Sequence, residues 1–493
     1  MLFKLYALIW VLGISAALLL FVTGNMTPAV SVVFGILTVG AVFLGIIGIL
    51  PSAIAEENED EITERHMKRE RSTQTGHSKP EVVIVGGGFA GLFAAKRLAN
   101  RDVSVTLIDR KNHHTFQPLL YQVATSVLPP SEVATPLRHA LYKAKNVEVI
   151  LGEVTGFDMD ARMVLLDNGG KLNFDYLVVA AGARHSYFGH DEWEHDAPGL
   201  KTVEDATEIR GRILKAFEAA EREAHLTGAY PPLHFAIIGG GPTGVELAGA
   251  IADIARKAMA KDFREIDPSQ ARISIFEGSP RVLGMYSEKL SASAKRQLEE
   301  LGVEVKTESL VTAVEPGRIK VGDYWIPTSM TVWATGVAAS PLGRMLSSET
   351  DRAGRVPVKP DLSINGHRNV FVIGDMSSSK DVSGKLVPGL ASAAEQQGKA
   401  TAANIMRDLR GDERVPFRYW DKGSMATIGR NRAVAQVGNF GFSGYIARMM
   451  WAVVHLALLG GAHNRLMVLR EWLWARYTRE RSARLITENT FGK

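Results

Sequence analysis

Val82-Val83-Ile84-Val85-Gly86-Gly87-Gly88-Phe89-Ala90-Gly91-Leu92-Phe93-Ala94-Ala95-Lys96-Arg97-Leu98 carries a buried-strand pattern straight into a glycine-rich turn and then into a helical pattern. Each glycine has a mechanical reason. Gly86 allows the tight turn, Gly88 (with Ala90 beside it) admits a pyrophosphate against bare backbone, and Gly91 lets the helix pack closely on the strand, its N-terminus facing the anion. The next strand-like run, Val103-Ser104-Val105-Thr106-Leu107-Ile108-Asp109, ends in a carboxylate at about the 20-residue spacing expected of a ribose ligand. Strand, turn, helix, strand and terminal acid in order mark a dinucleotide site.

The grammar repeats downstream. His234-Phe235-Ala236-Ile237-Ile238 leads into Gly239-Gly240-Gly241-Pro242-Thr243-Gly244-Val245-Glu246, and Arg272-Ile273-Ser274-Ile275-Phe276-Glu277 again ends in an acid, further on because the intervening helix is extended. Gly239, Gly241, Thr243, Gly244 and Glu277 are the candidate contacts here. Glu277 repels a 2′-phosphate and so favours NADH, while Arg281 a turn later keeps NADPH open. Two such sites in one chain imply that two redox nucleotides meet, one of them a flavin, with hydride transfer between them.

From residue 81 to about 414, short β-branched runs alternate with helical patterns, so the fold class is α/β with two Rossmann-like units built on parallel sheets. A length of 493 residues exceeds one core. The net charge of +4 is small and no basic run is interleaved with aromatics, which excludes a nucleic-acid groove. No metal-ligand cluster with characteristic spacing appears, and with no cysteine the chain has no thiolate metal site and no route for electrons through a cysteine pair.

Both ends carry membrane signals. Residues 5–22 and 29–50 are apolar, uncharged and long enough for a hydrocarbon core of ~30 Å, so residues 1–50 read as a transmembrane helical hairpin. Lys4 alone is a poor charged region for a cleaved signal peptide, the competing reading. A charged linker follows over residues 51–79, and its Arg65, Lys68, Arg69 and Arg71 place the remainder on the cytoplasmic side of the cell inner membrane. Near the C-terminus, Arg448 interrupts an apolar run and Trp472 and Trp474 alternate with arginines, as in a helix lying flat on a bilayer. A homodimer interface is the alternative for that Trp- and Arg-rich surface.

With both glycine turns, Phe116-Gln117-Pro118-Leu119-Leu120-Tyr121-Gln122, Asp175-Tyr176-Leu177-Val178-Val179-Ala180-Ala181-Gly182-Ala183, Thr331-Val332-Trp333-Ala334-Thr335-Gly336, Val370-Phe371-Val372-Ile373-Gly374-Asp375 and Gln396-Gln397-Gly398-Lys399, the chain resembles the type II NADH:quinone oxidoreductases, which are two-dinucleotide flavoproteins. The resemblance implies FAD as cofactor, NADH as substrate and a membrane quinone as acceptor, with no proton pumping. It implies an FAD domain split into residues 80–205 and 339–414 around an NADH domain at 206–338, and a membrane-association and dimerisation region at 415–493. Gly182, Gly374 and Asp375 would join Gly86, Gly88, Ala90, Gly91 and Asp109 at FAD, with Asp375 on the ribitol, and Gly336 would join the NADH contacts. The helix after Pro388-Gly389-Leu390 would aim its positive end at the flavin. Glu246, read as lying in its helix's first turn near the nicotinamide, and Gln396 are the candidate catalytic residues. Ser392, Gln396 and Gln397 would face the quinone, Ser392 standing where many members have glutamine. A reductase of dioxygen or of a ferredoxin- or rubredoxin-like protein, and a non-enzymatic redox-sensing flavoprotein, stay open as alternatives.

Overall fold

The computed structural model describes residues 79–346, 349–382, 384–478, 481 and 483–486, within the compact unit His77–Lys493. The expected hairpin and all but the last residue of the charged linker lie outside them. Among the described residues no helix is long and apolar enough to cross a membrane.

The strand Glu81–Val85 lies between Ser104–Asp109 and Tyr176–Val179, all parallel. Val147–Leu151 extends one side and His367–Val372 the other, with Ser363–Ile364 antiparallel at the edge. Because side chains alternate along a strand, Val82 and Ile84 pack with Ala90, Ala94 and Leu98 of the helix Phe89–Leu98 and with Ala402 and Ile405 of the helix Ala391–Asp408. Val83 and Val85 pack on the opposite face with Val154, Val164 and Phe174, contributed by a three-stranded antiparallel sheet and its border.

The second unit repeats the plan. His234–Ile238 lies between Arg272–Phe276 and Met330–Trp333, with Val303–Lys306 beyond, all parallel. Phe235 and Ile237 face the helix Pro242–Asp253 through Val245, Ala248 and Ile251, while Ala236 and Ile238 face Val311, Val314 and Ile319 of another antiparallel sheet.

His367–Val372 returns to the first sheet only after the second is complete, so the first sheet is interrupted in sequence by the second. The chain leaves and returns along Ala183–His185 and Val337–Ala339, paired antiparallel. Beyond residue 415, ahead of the expected amphipathic helices, comes a three-stranded antiparallel sheet: Ser424–Ile428, Arg432–Val437 and Phe440–Ser443. Its first turn sits on the second dinucleotide helix so closely that a Cβ at Gly249 would lie 2.4 Å from the Gly429 nitrogen. The helices Gly444–Leu458 and Ala462–Thr478 follow.

Candidate functional site

The first glycine turn is built by contact. Gly86 has φ +104°, and a Cβ on Gly91 would lie 1.8 Å from the Gly86 carbonyl oxygen. At Gly88 a Cβ would meet nothing within 4 Å, and the helix it precedes has no side-chain cap, so its first N–H groups face open space. Asp109 closes the turn, its Oδ2 accepting from the Gly87 N–H at 2.5 Å and its Oδ1 from that of Lys111 at 2.7 Å.

One cleft runs from Gly86, Gly88 and Asp109, past Gly182 and Lys201, to Gly374, Asp375 and Ala391. At the far end Gly374 has φ +70° and donates its N–H to Gln397 Oε1 at 2.6 Å. Asp375 Oδ2 lies 3.4 Å from Lys201 Nζ, and the helix Ala391–Asp408 starts there without a side-chain cap. Ala90 belongs to the scaffold of this end: a Cβ at Gly398 would lie 2.2 Å from its carbonyl oxygen. Two uncapped helix N-termini, an acid at each of two strand ends and open space at Gly88 suit a long diphosphate such as FAD, and nothing in the lining fills the space it needs.

The second turn uses the same device. Gly239 has φ +109°, a Cβ on Gly244 would lie 2.0 Å from the Gly239 oxygen, and Gly241 faces open space before the uncapped helix that holds Thr243 in its first turn. Glu277 Oε2 accepts from the Gly240 N–H at 2.6 Å and Oε1 from that of Ser279 at 2.7 Å. Arg281 turns to the Gly284 carbonyl and to Glu288. Gly336, with φ +71°, packs against Ser186 and Phe188, where a Cβ would lie 2.5 Å from the Ser186 oxygen. Packing alone therefore demands glycine at 336.

The placement of Glu246 needs correction, and Gln396 and Gln397 have partners of their own. Glu246 is the fifth residue of Pro242–Asp253, past the first turn, so a dipole explanation of that carboxylate is lost. Its Oε1 instead accepts from the Thr427 N–H of the C-terminal sheet at 3.3 Å. Gln396, expected to reach a quinone, has its amide committed to the Trp420 backbone in both directions, Nε2 to O at 3.0 Å and N to Oε1 at 2.9 Å, and Nε2 also reaches the Ser392 carbonyl. Gln397 is buried, bonding Gly374, Ser377 and Ser379, so it fixes the turn that carries Asp375. Neither Ser392 nor Gln396 lines the cleft.

Around Glu246 the polar groups are linked. Thr427 Oγ1 donates to the Tyr121 hydroxyl at 2.8 Å, Gln122 Nε2 donates to the same oxygen at 2.9 Å, and Trp472 Nε1 donates to Gln122 Oε1 at 2.7 Å. Burial pushes the Glu246 carboxyl up to about 8, opposed by the Thr427 N–H and by Arg448. Burial and the Glu246 charge raise the Tyr121 phenol. Burial also lowers His114, whose Nδ1 faces the Gly87 carbonyl at 3.1 Å, to about 4, leaving a neutral ring beside the first turn.

The helix carrying Arg448 resolves the charge that interrupts its apolar run. The guanidinium turns inward, 4.7 Å from the Trp451 ring centroid and 5.5 Å from that of Trp472, and its Nε donates to the Arg430 carbonyl. The outward face keeps Ile446, Met449, Val453 and Leu458.

Sequence reasoning missed Lys201, Tyr121, Gln122 and Thr427 as site residues. Lys201 had a local signal, because the capping box of Thr202 and Asp205 fixes the start of the helix Val203–Thr227 directly after it. Thr427 had none, since its contact spans 181 residues.

Two glycine turns, each pinned by the acid at the end of its neighbouring strand, define an oxidoreductase of the two-dinucleotide class. Residues 80–398 match the pyridine nucleotide-disulphide oxidoreductase family model, and residues 421–479 match the NDH2 C-terminal domain. The type II NADH:quinone oxidoreductase NdhA of Mycobacterium tuberculosis is 46% identical over 408 residues, covering 79% of this chain and 86% of the relative. That of Staphylococcus aureus is 32% identical, covering 76% of this chain and 94% of its own. The structure of NDH2 from Plasmodium falciparum in complex with NADH shares the fold, with a TM-score of 0.74 at 20% identity over 83% of this chain and all of that one. This chain belongs to the type II NADH:quinone oxidoreductases, within the pyridine nucleotide-disulphide oxidoreductase family.

Proposed function

We propose that this protein oxidises NADH and passes two electrons by way of FAD to a membrane quinone, without pumping protons. The observation that carries the reading is the single cleft joining the first glycine turn to Asp375 and the uncapped helix at Ala391. Bound FAD supplies a two-electron carrier between a hydride donor and a quinone.

The chain's own residues do the rest. Gly86, Gly88 and Gly91, with the helix Phe89–Leu98, hold the negative diphosphate, Asp109 takes a ribose hydroxyl in place of the Gly87 N–H, and Asp375 with Gly374 holds the ribitol. Gly182 leaves room along the cleft, and Lys201 beside Asp375 adds positive charge. Gly239, Gly241, Thr243 and Gly244 hold NADH, with Glu277 as its ribose acceptor. The commitment of Arg281 to Gly284 and Glu288 favours NADH over NADPH. Glu246 holds a proton at its carboxyl at neutral pH, which suits a donor for a quinone taking up two electrons. Gln396 and Gln397 serve the scaffold.

The domain limits are 80–205 and 339–414 for FAD, 206–338 for NADH and 415–493 for attachment. Attachment rests on the exposed apolar side of Gly444–Leu458, where Ile446 is 64% and Val453 68% exposed, a surface suited to the lipid bilayer from which a quinone enters. A second copy covering that surface is the alternative occupant. Arg65, Lys68, Arg69 and Arg71 support a cytoplasmic orientation at the inner membrane. The N-terminal apolar segments contain no Asp, Glu, His, Lys or Arg for a proton relay. Steady-state NADH oxidation with a quinone, with dioxygen and with a small redox protein tests the acceptor, and a turnover that needs dioxygen or the redox protein overturns the quinone.

A further inference from the structure

An open pocket lies between the helix Glu288–Glu299, the C-terminal sheet and the start of Gly444–Leu458, away from the nucleotide clefts. Three guanidinium groups line it, those of Arg296, Arg432 and Arg476, against one carboxylate, Glu300. Glu300 pairs with Arg432. Arg476 donates to Asn431 Oδ1 at 3.2 Å and has no carboxylate partner among the described residues. Arg296 is exposed, with no side-chain partner among them. Two positive charges are thus left over.

Beneath the pocket wall lies a buried amide paired on one side only. Gln297 is 8% exposed and donates through Nε2 to Ser293 Oγ at 3.0 Å, while its Oε1 has no partner. A buried acceptor left unpaired carries a cost of about 1–3 kcal/mol unless a ligand hydroxyl or water reaches it. Gly444, with φ +71°, and Ser443 open the helix without a side-chain cap, adding unclaimed N–H groups.

Two pocket residues neighbour exposed apolar residues along their helices: Tyr445 precedes Ile446 and stands one turn before Met449, and Arg476, its guanidinium 5.8 Å from the Tyr445 ring centroid, precedes the exposed Tyr477. The pocket therefore sits where a headgroup would lie if acyl chains covered the apolar side.

We infer that this pocket binds the phosphate of an anionic phospholipid, with Arg296 and Arg476 on the phosphate. Planar guanidinium groups suit phosphate oxygens, and the neighbouring apolar face supplies the lipid side of the contact. The inference rests on the reading that the C-terminal helices lie on a bilayer.

The test uses the full-length, FAD-loaded protein in nonionic detergent, with thermal unfolding followed by the release of flavin fluorescence. Short-chain phosphatidylglycerol, added below its micelle concentration, raises the midpoint saturably, while the matching phosphatidylcholine and glycerol phosphate do not. Arg296→Gln and Arg476→Gln each weaken that response about tenfold. Arg296 is exposed and unpaired, so its variant keeps the fold. An equal response to phosphatidylcholine, or arginine variants that respond like the parent, overturns the site, and an equal response to glycerol phosphate overturns its assignment to lipid. Flotation on vesicles tests bilayer attachment separately, so failure of attachment is distinguishable from failure of the pocket.

Discussion

Thr427, on the first strand of the C-terminal sheet, donates its backbone N–H to Glu246 Oε1 at 3.3 Å. A carboxyl on the second dinucleotide helix is thereby positioned by the segment that leads into the two C-terminal helices. Folded, that carboxyl keeps its proton to about pH 8, whereas its ordinary value is 4.5. Between those limits the folded state binds more protons than the unfolded one, so stability falls as pH rises through the window. Glu246→Gln removes the dependence. Its melting midpoint is expected to exceed that of the parent by a few degrees above pH 8 and to converge with it towards pH 5. Quinone turnover in the parent should fall above about pH 8, and that limb should vanish in the variant, whose kcat is lower by about tenfold or more.

The two turns can be separated by one atom each. Gly91→Ala places a methyl 1.8 Å from the Gly86 oxygen, and Gly244→Ala places one 2.0 Å from the Gly239 oxygen. Both clash with backbone, which has no rotamer to yield. Gly91→Ala should purify with little flavin. Gly244→Ala should stay yellow and raise the KM for NADH at least tenfold. Flavin content and NADH titration check the pair.

The plan of two units was legible because glycine spacing, β-branched runs and terminal acids are local: Gly86 to Asp109 spans one strand–helix–strand unit. Membership of the first sheet by His367–Val372 was legible through the motif ending in Asp375. The partners of Gln396 and Gln397 were not legible because adjacent helical residues point in different directions, and those partners, Trp420 and Gly374, are set by tertiary packing. The direction of Arg448 was not legible because a charge on an apolar helix does not reveal which face is buried, and here aromatic rings on two helices receive it. The sheet from Ser424 to Ser443 was hidden by its short strands.

Asp375 and Lys201 share the cleft at 3.4 Å. Asp375→Ala should weaken FAD retention more than tenfold, because a carboxylate aimed at ligand hydroxyls is lost together with the Lys201 contact. Lys201→Met should loosen FAD less and lower the flavin reduction potential, since a positive charge near the reduced cofactor is removed. Equilibrium dialysis and a redox titration read the two effects.

Trp472→Phe leaves Gln122 Oε1 without its 2.7 Å donor. The expected cost is about 1–3 kcal/mol for a buried acceptor left unpaired, seen as a lower midpoint in chemical denaturation. Gln122→Leu in the same background should recover part of it, because the orphaned polar group is then gone.

Ile446→Asp combined with Val453→Asp puts two charges on the outward side of Gly444–Leu458. With NADH in excess, turnover of a long-tailed quinone in vesicles should fall severalfold, while a water-soluble short-chain quinone is reduced at the parent's rate. Equal loss on both acceptors would place the effect in the fold.

The central claim is that the nucleotide cleft and the second glycine turn serve one redox relay, and anaerobic stopped-flow mixing addresses it most directly. On mixing with NADH the visible flavin absorbance should bleach within milliseconds to seconds, and adding quinone should restore it without dioxygen. A flavin band that NADH leaves untouched, or one that stays bleached until air is admitted, contradicts the account.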